Sequence, residues 1–353
     1  MTDGITVAID TMSGDLGHAA VLPAAIKSLD RHPDLGLILV GDRPSLERGL
    51  AQRKAQESER LRIHHASQVV GMWDPPSKAL RTKKDSSMRV AVDLVREGQA
   101  RACVSAGNTG ALMATARFVL KTLAGIDRPA IISPIPSRDG YTLMLDLGAN
   151  AECTPEQLFQ FAVMGSVLAQ AVHGIEQPRV GLLNIGAEET KGNQQIQAAG
   201  RLLAASSLNY IGHVEGDDVY LGDVDVVVCD GFVGNVALKT SEGLGKLIAQ
   251  FLREEFSRNL LTRMAAVAAM PVLHSFRRRV DPRNYNGATF LGLQGIVIKS
   301  HGDADSVAFL SAIETALLEV EHSVPARISD LLDSVLGDPP RDCSDAIQST
   351  GCD

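Results

Sequence analysis

The chain has 353 residues, 45% of them hydrophobic and 22% charged, and a formal net charge of −8. This length and composition suit a packed protein of one large unit or two lobes. The acidic balance and the aromatic content of only 4% argue against nucleic-acid binding. No apolar run reaches the ~18 residues of a membrane span, and the N-terminus lacks a secretory signal, so we expect a cytoplasmic protein.

The cysteines are scattered, with no C-x-x-C pair, and no histidine cluster has the spacing of a metal site. We expect Cys103, Cys153 and Cys229 to be buried thiols, and Cys343 and Cys352 to be exposed in a polar tail. We expect neither a metal nor a cofactor.

Short apolar runs alternate along the chain with helix-period segments. The runs predict strands over residues 5–9, 35–40, 102–105, 143–147, 180–185, 210–214, 224–229 and 296–298. Most are apolar throughout, which is typical of strands covered on both faces, so we expect an α/β fold with a largely parallel sheet. Helices are predicted over 156–172, capped by Thr154 with Pro155 at the first position, and over 307–320.

No linker divides the chain. We expect a single catalytic domain over 1–336, containing a helix-rich region over 243–280, and a disordered tail over 337–353 that is rich in Pro, Asp and Ser.

Five Gly-containing turns follow predicted strands, and each also contains Asn, Asp or Ser. They cover residues 10–15, 105–110, 146–150, 184–192 and 230–235. In open α/β sheets, ligands bind outside the carboxyl ends of strands, where close backbone approach and helix N-termini favour anions. We therefore expect these turns to share one sheet edge and to form an anion-accepting cleft. The alternative is that each glycine only makes its turn.

The signatures of several enzyme classes are absent from the sequence. There is no G-x-G-x-x-G after the first strand, and there is no P-loop, G-x-S-x-G or H-E-x-x-H. These absences argue against classical dinucleotide binding, P-loop hydrolysis, serine hydrolysis and zinc proteolysis. No local pattern indicates a covalent nucleophile.

The turns, taken with their neighbours, resemble the PlsX family, the phosphate acyltransferases that make acyl-phosphate from acyl carrier protein thioesters. The matching blocks are 8–15 (AIDTMSGD), 86–91 (SSMRVA), 103–113 (CVSAGNTGALM), 145–150 (LDLGAN), 183–186 (LNIG), 188–192 (EETKG), 229–235 (CDGFVGN), 285–288 (YNGA) and 299–302 (KSHG). Ser13 stands where the family usually has a glycine. The resemblance implies a doubly wound, largely parallel sheet in an α/β/α sandwich, similar to phosphotransacetylases and isocitrate/isopropylmalate dehydrogenases.

The implied reaction is attack of a phosphate oxygen on a thioester carbonyl. Because phosphate is already an anion and a thiolate with a pKa near ~8.5 is a good leaving group, the enzyme mainly positions two reactants and stabilises an oxyanion. The predicted catalytic residues are Lys191, Lys299, His301 and Asp230. The predicted phosphate- and substrate-binding residues are Asp10, Gly14, Asp15, Gly107, Asn108, Thr109, Gly110, Asn150, Asn184 and Asn235.

Different roles are expected for these groups. The two lysines are predicted to hold phosphate or the oxyanion, and His301 to protonate the sulfur. The asparagines are predicted to donate amide N–H groups, or simply to satisfy turns. The aspartates are predicted to orient the lysines, accept a proton or cap helices.

The region 243–280 contains a helical apolar stripe, followed by Leu260, Leu261 and Met264, a helix break at Pro271, and the run Arg277, Arg278, Arg279. It is interpreted as a core or dimer-forming helix, or as an interfacial segment on an anionic membrane. The resemblance implies a homodimer with peripheral membrane association, acyl carrier protein and inorganic phosphate as partners, and the membrane glycerol-3-phosphate acyltransferase that uses acyl-phosphate. The arginines are predicted to dock the carrier protein.

Two other functions remain open at this point. An NAD-dependent β-decarboxylating dehydrogenase of the same architecture would need a divalent-metal site built from several aspartates, which the scattered aspartates do not suggest. A noncatalytic scaffold acting through 243–280 would leave the Gly-containing turns unexplained.

Overall fold

A computed structural model describes residues 4–337, without the side chains of 277–280, 282, 284 and 335–337. The strands are β1 (Ile5–Asp10), β2 (Leu35–Gly41), β3 (Leu61–His65), β4 (Ala102–Ser105), β5 (Ala130–Ser137), β6 (Gly140–Leu145), β7 (Val180–Leu183), β8 (Tyr210–Val214), β9 (Val226–Val228), β10 (Ala288–Leu291) and β11 (Ile296–Lys299). They form one sheet in the order β3-β2-β1-β4-β11-β10-β5-β6-β9-β7-β8.

Helices cover both faces of this sheet. They are α1 (His18–Arg31), α2 (Arg43–Gln52), α3 (Pro76–Thr82), α4 (Ser87–Arg96), α5 (Thr109–Leu120), α6 (Pro155–His173), α7 (Gln194–Ala204), α8 (Asp218–Leu221), α9 (Gly231–Ser257), α10 (Leu260–Val280), α11 (Ser306–Glu321) and α12 (Val324–Gly337), with a 3₁₀ turn at Pro282–Tyr285. Alternate residues of β1 pack on opposite faces: Ala8 meets the core under α3, α4 and α5, whereas Val7 and Ile9 meet the core under α1, α2 and α11. The predicted α/β architecture is confirmed.

The strands form two groups that run in opposite directions. β3, β2, β1, β4 and β11 are mutually parallel, and so are β6, β9, β7 and β8. Between the groups, β11 pairs antiparallel with β10, β10 with β5, and β5 with β6. Three successive antiparallel pairings reverse the direction, so the carboxyl ends of the two groups lie at opposite edges of the sheet. The expectation that all five Gly-containing turns share one edge is therefore wrong.

The individual elements follow the sequence closely. All eight predicted strands are present, within three residues of their predicted bounds. Thr154 and Gln157 form a capping box at the start of α6, with Pro155 as its first residue. The break predicted at Pro271 is wrong, because α10 continues through it to Val280. A proline removes one N–H donor, and the remaining hydrogen bonds of this 21-residue helix and its contacts with α9 preserve it.

Candidate active site

Three adjacent strands end side by side at one edge of the sheet and place polar groups together. Asp10 ends β1, Ser105 ends β4, and Lys299 ends β11 in register with Ser105. The Ser105 hydroxyl donates to Asp10 Oδ2 at 2.6 Å, and both residues are completely buried. We call Asp10, Asp15, Ser105, Lys299, His301 and Asp303 the Lys299 site.

The loops after β1 and β11 contact each other above these strand ends. The backbone N–H of Asp15 donates to the carbonyl oxygen of Gly302 at 2.7 Å. Gly14 has a φ of +84°, and a Cβ there would lie 2.8 Å from Ala106 Cβ and 3.0 Å from the Gly302 oxygen. Glycine is required at 14 for both conformation and space.

The loop after β4 approaches the loop after β1 equally closely. A Cβ at Gly107 would lie 2.4 Å from Met88 Cε and 3.0 Å from Ser13 Oγ. The Ser13 hydroxyl is buried, and it has no hydrogen-bond partner among the residues that the structure describes. An unpaired buried hydroxyl is costly, so Ser13 is a donor available to a bound oxyanion. Sequence reasoning noted Ser13 only as a departure from the family pattern.

Helix α5 begins at this edge. Asn108 caps it, because Oδ1 accepts from the Ala111 N–H at 2.9 Å, while Nδ2 donates to the Met72 carbonyl oxygen at 2.6 Å. Both ends of the Asn108 amide are therefore engaged within the protein. The N–H groups of Thr109 and Gly110 belong to the first helical turn, which has no acceptors within its own helix. These N–H groups and the helix dipole suit an anion better than the Asn108 side chain does.

Lys299 is the main cation of the site. Its ammonium donates to the Ser300 carbonyl oxygen. Burial lowers the pKa of Lys299 to about 8, and the positive charge of Lys239 acts in the same direction, whereas Asp303, Asp10 and Asp15 oppose the shift. Most Lys299 side chains therefore carry a proton at pH 7, but the charge is poorly solvated and favours an anionic ligand.

Lys239 is a residue that sequence reasoning missed. It lies on α9, which starts at the opposite sheet edge and runs far enough for Lys239 to act on Lys299. Its ammonium pairs with Glu242 at 2.9 Å and remains about half exposed. Its position depends on the direction of α9 across the sheet, for which a lone lysine in a helical segment gives no signal.

His301 is held at the rim of the site. Its Nδ1 lies 2.6 Å from Asp303 Oδ1, and its backbone N–H donates to Asn286 Oδ1 at 2.9 Å. The imidazole is half exposed. A carboxylate partner at Nδ1 orients the ring and leaves Nε2 for proton exchange with a substrate or solvent.

The remaining predicted residues lie at the opposite edge, after β6, β7 and β9. Asn150 is buried, and its amide donates to Asp146 Oδ2 and to the Pro129 carbonyl oxygen, both at 2.9 Å. Burial raises the pKa of Asp146, although several backbone N–H groups and the Asn150 amide oppose the shift. Asp230 caps α9 by accepting from the Val233 N–H at 2.8 Å. These contacts stabilise a turn and a helix start. They agree with the alternative interpretation of these residues, in which an asparagine satisfies a turn and an aspartate caps a helix.

Three further predicted residues at this edge do not have the turn or capping roles of Asn150 and Asp230. The Asn184 amide nitrogen is buried without a partner in the described part of the chain. Lys191 and Asn235 are exposed, and Asn235 lies beside Gly148. The structure thus brings nine predicted residues together at the Lys299 edge and separates five from them: Asn150, Asn184, Lys191, Asp230 and Asn235. Lys191 and Lys299, both predicted to hold phosphate or the oxyanion, therefore lie at opposite edges of the sheet within one chain.

Several residues named in the sequence analysis lie outside the part of the chain that the structure describes. The side chains of Arg277, Arg278 and Arg279, the tail from 338, Cys343 and Cys352 lie outside the described residues. Cys103 and Cys229 are buried thiols and Cys153 is partly buried. Within residues 4–337, no group of three or more His, Cys, Asp or Glu side chains is arranged to hold a metal ion.

Comparison with known proteins identifies the family. A family model described as "Fatty acid synthesis protein" matches residues 5–327. A phosphate acyltransferase of Alkalilimnicola ehrlichii is 62% identical over 336 residues, covering 95% of this chain and 98% of the relative. One of Methylococcus capsulatus is 59% identical over 330 residues, covering 94% and 97%. The chain belongs to this family.

The resemblance of this PlsX-family chain to phosphotransacetylases is confirmed at the level of fold. A phosphotransacetylase from Streptococcus pyogenes superposes with a TM-score of 0.63 at 14% identity, covering 91% of this chain and 95% of that one. At so low an identity the likeness concerns architecture alone.

Proposed function

We propose that the protein is a phosphate acyltransferase that transfers a fatty acyl group from an acyl carrier protein thioester to inorganic phosphate. The observation that carries the proposal is the 62% identity, over 95% of the chain, to a relative named phosphate acyltransferase. The Lys299 site supports it, because a poorly solvated ammonium, an unpaired Ser13 hydroxyl and a helix N-terminus together suit a small oxyanion.

The chemistry requires little of the protein beyond placement and charge. A phosphate oxygen attacks the thioester carbon, the new C–O bond forms, and collapse of the tetrahedral oxyanion breaks the C–S bond. Lys299 and the N–H groups of Thr109 and Gly110 stabilise phosphate and the oxyanion. His301 gives a proton to the departing thiolate, while Asp303 fixes the orientation of the ring. The products are acyl-phosphate and the free thiol of the carrier protein.

The buried carboxyl of Asp10 has a different task. Because a carboxylate repels phosphate, Asp10 acts by orienting its neighbours. It accepts a hydrogen bond from the Ser105 hydroxyl, which in turn accepts one from the Gly107 N–H at 3.1 Å. Asp10 therefore fixes the turn after β4 that leads into α5. Asp15 and Asp303 stabilise the charged form of Lys299.

One assay tests the proposed activity. The purified protein is incubated with acyl carrier protein loaded with a fatty acyl group, and free thiol is measured with and without phosphate. Phosphate-dependent thiol release and formation of acyl-phosphate are expected. Thiol release that does not depend on phosphate, or the absence of thiol release, contradicts the proposal. NAD reduction with a hydroxy acid would favour the dehydrogenase, which neither the relatives nor the described carboxylates support.

We further propose that α9 and α10 form a homodimer whose outer end contacts the cytoplasmic membrane surface, where acyl-phosphate passes to the membrane glycerol-3-phosphate acyltransferase of phospholipid synthesis. Apolar side chains along both helices are exposed in the single chain, and at the start of α10 Leu260 is 74%, Leu261 78% and Met264 62% exposed. Such a surface indicates an interaction. No helix within the described residues is long and apolar enough to span a bilayer.

Two measurements address this part separately. Sedimentation equilibrium is expected to give a dimer. Replacing Leu260, Leu261 and Met264 together by Ser is expected to lower cosedimentation with anionic liposomes while leaving the dimer intact. Unchanged liposome binding, both in this variant and after replacing residues 277–279 by Ser, would remove the membrane surface from the proposal.

A further inference from the structure

A group of exposed cations lies on the helices beside the Lys299 site. Between residues 76 and 121 there are nine Lys and Arg residues and three Asp and Glu residues, a local formal charge of +6 in a chain whose total is −8. This segment contains α3, α4 and α5, which pack together and cover the same face of the sheet. Their exposed side chains therefore share one outer surface.

Five of these cations are not neutralised by the protein itself. Lys83, Arg89 and Arg96 pair with Asp74, Asp93 and Glu97. Of the other six, Arg101 directly precedes β4, and five lie on or just after α3 and α5. These five are exposed and have no acidic partner within 4.0 Å in the part of the chain that the structure describes: Lys78, Arg81, Lys84, Arg117 and Lys121. We call these five the α3–α5 face. Unpaired like charges on adjacent helices repel each other, so an acidic partner stabilises them.

An aromatic side chain extends the face. Phe118 is half exposed, and its ring lies 5.3 Å from the Arg89 guanidinium carbon and 5.0 Å from Lys121 Nζ. Protein interfaces commonly combine an exposed aromatic anchor with surrounding charge.

The α3–α5 face is joined directly to the Lys299 site. α5 starts at the site and extends ~18 Å to its cationic end. The turn before α3 is fastened to the start of α5, since Asn108 Nδ2 donates to the Met72 carbonyl oxygen. The Met72 methyl lies 3.2 Å from the Cβ position of Gly302. The next residue, Trp73, is 97% exposed between the face and the site.

We propose that the α3–α5 face docks the protein that delivers the thioester, a small acidic carrier whose flexible arm passes Met72 and Trp73 to reach Lys299. The inference rests on the proposed acyl transfer and specifies the surface that its protein substrate uses. It differs from docking on residues 277–279, which lie in another part of the fold. Charge complementarity and the short path to the site favour this occupant over a membrane or a nucleic acid.

The test compares two triple charge reversals with the same total change in charge. The first variant carries Lys78→Glu, Arg81→Glu and Lys84→Glu. The control carries Lys27→Glu, Arg48→Glu and Lys54→Glu, which are exposed on or beside α1 and α2 at the other face of the sheet. Each is assayed with acyl carrier protein and with the same acyl group on N-acetylcysteamine, a thioester without a protein.

We expect the first variant to raise KM for the carrier-protein substrate at least ~10-fold with little change in kcat, and to leave the small thioester unaffected. The control is expected to behave as wild type. The wild-type kcat/KM for the carrier protein should fall as salt rises, because exposed charges are screened. Trp73 is the single tryptophan of the chain, so its fluorescence should change when unloaded carrier protein binds.

Several outcomes would overturn the inference. They are an unchanged KM in the first variant, an equal loss with both thioesters, an equal loss in the control, or a raised KM only after replacing 277–279 by Ser. Failure of the proposed function is a different result, because wild type would then release no thiol in response to phosphate from either substrate.

Discussion

The pH dependence of catalysis is the most direct measure of the charge on Lys299. With a pKa of about 8, roughly 90% of Lys299 is protonated at pH 7, half at pH 8 and roughly 10% at pH 9. If the ammonium holds phosphate, kcat/KM for phosphate falls with a midpoint near pH 8 and approaches a tenfold loss per pH unit above it. An ordinary lysine would keep its charge to beyond pH 10.

Two substitutions separate charge from other causes of this decline. Lys299→Met is expected to lower kcat/KM for phosphate by roughly 10²-fold or more at pH 7, as losses of single oxyanion-stabilising donors do. Lys299→Arg is expected to be slower than wild type at pH 7, because its geometry differs, yet flat between pH 7.5 and 9.5, since guanidinium stays protonated. Lys191→Arg, at the opposite sheet edge, serves as the control and should keep the wild-type decline.

The assay is the initial rate of thiol release at saturating acyl carrier protein, with spontaneous thioester hydrolysis subtracted at each pH. The reasoning is refuted if wild type shows no decline below pH 9.5, or if Lys299→Arg keeps a decline centred at pH 8.

Three further predictions concern other parts of the chain. Lys191→Ala should retain most of the activity, because Lys191 lies at the sheet edge opposite the Lys299 site. A loss above ~100-fold would contradict this and show that Lys191 reaches an active site, for instance that of a partner chain in a dimer. Glu319 is buried on α11 with the Thr289 hydroxyl as its hydrogen-bond partner, and burial raises its pKa from 4.5 to about 8. Wild type should therefore lose stability between pH 4.5 and 8, where the unfolded carboxyl ionises and the folded one stays protonated, by up to ~5 kcal/mol. The free energy of unfolding of Glu319→Gln, measured with urea at each pH, should lack this decline between pH 4.5 and 8. An equal pH dependence in the two proteins would contradict the raised pKa of Glu319. Gly234→Ala should lower the free energy of unfolding by ~2 kcal/mol or more, because the new Cβ would lie 1.9 Å from the Asp146 carbonyl oxygen; an unchanged urea midpoint would show that α9 shifts freely.

Local features were predictable because they depend on nearby residues. The strand runs, the capping box at Thr154 and the Gly-containing turns are each set by a few neighbouring side chains. Strand direction was not predictable in this way, since an apolar run has the same pattern of residues whether its strand runs parallel or antiparallel to its neighbours. One available signal was missed: Asp139 in the turn after β5 and Gly140 as the first residue of β6 are typical of a hairpin, and a hairpin reverses the chain. Pro134 and Pro136 obscured β5, because prolines are unusual within strands.

The family's conspicuous turns therefore have two different physical roles. The turns after β1, β4 and β11 supply the groups of the Lys299 site directly. The turn that contains Asp230 acts at a distance, because it starts α9, along which eight residues of helix rise carry the chain ~12 Å to Lys239 and 15 residues carry it ~22 Å to Lys246. Burial is the largest cause of the lowered pKa of Lys299, and the charge of Lys239 adds to it. At Asp303, burial raises the pKa, and His301 and then Lys246 lower it. A helix capped at one edge thus contributes to the electrostatics of the Lys299 site at the other, which connects the turn that contains Asp230 to that site although the two do not share an edge of the sheet.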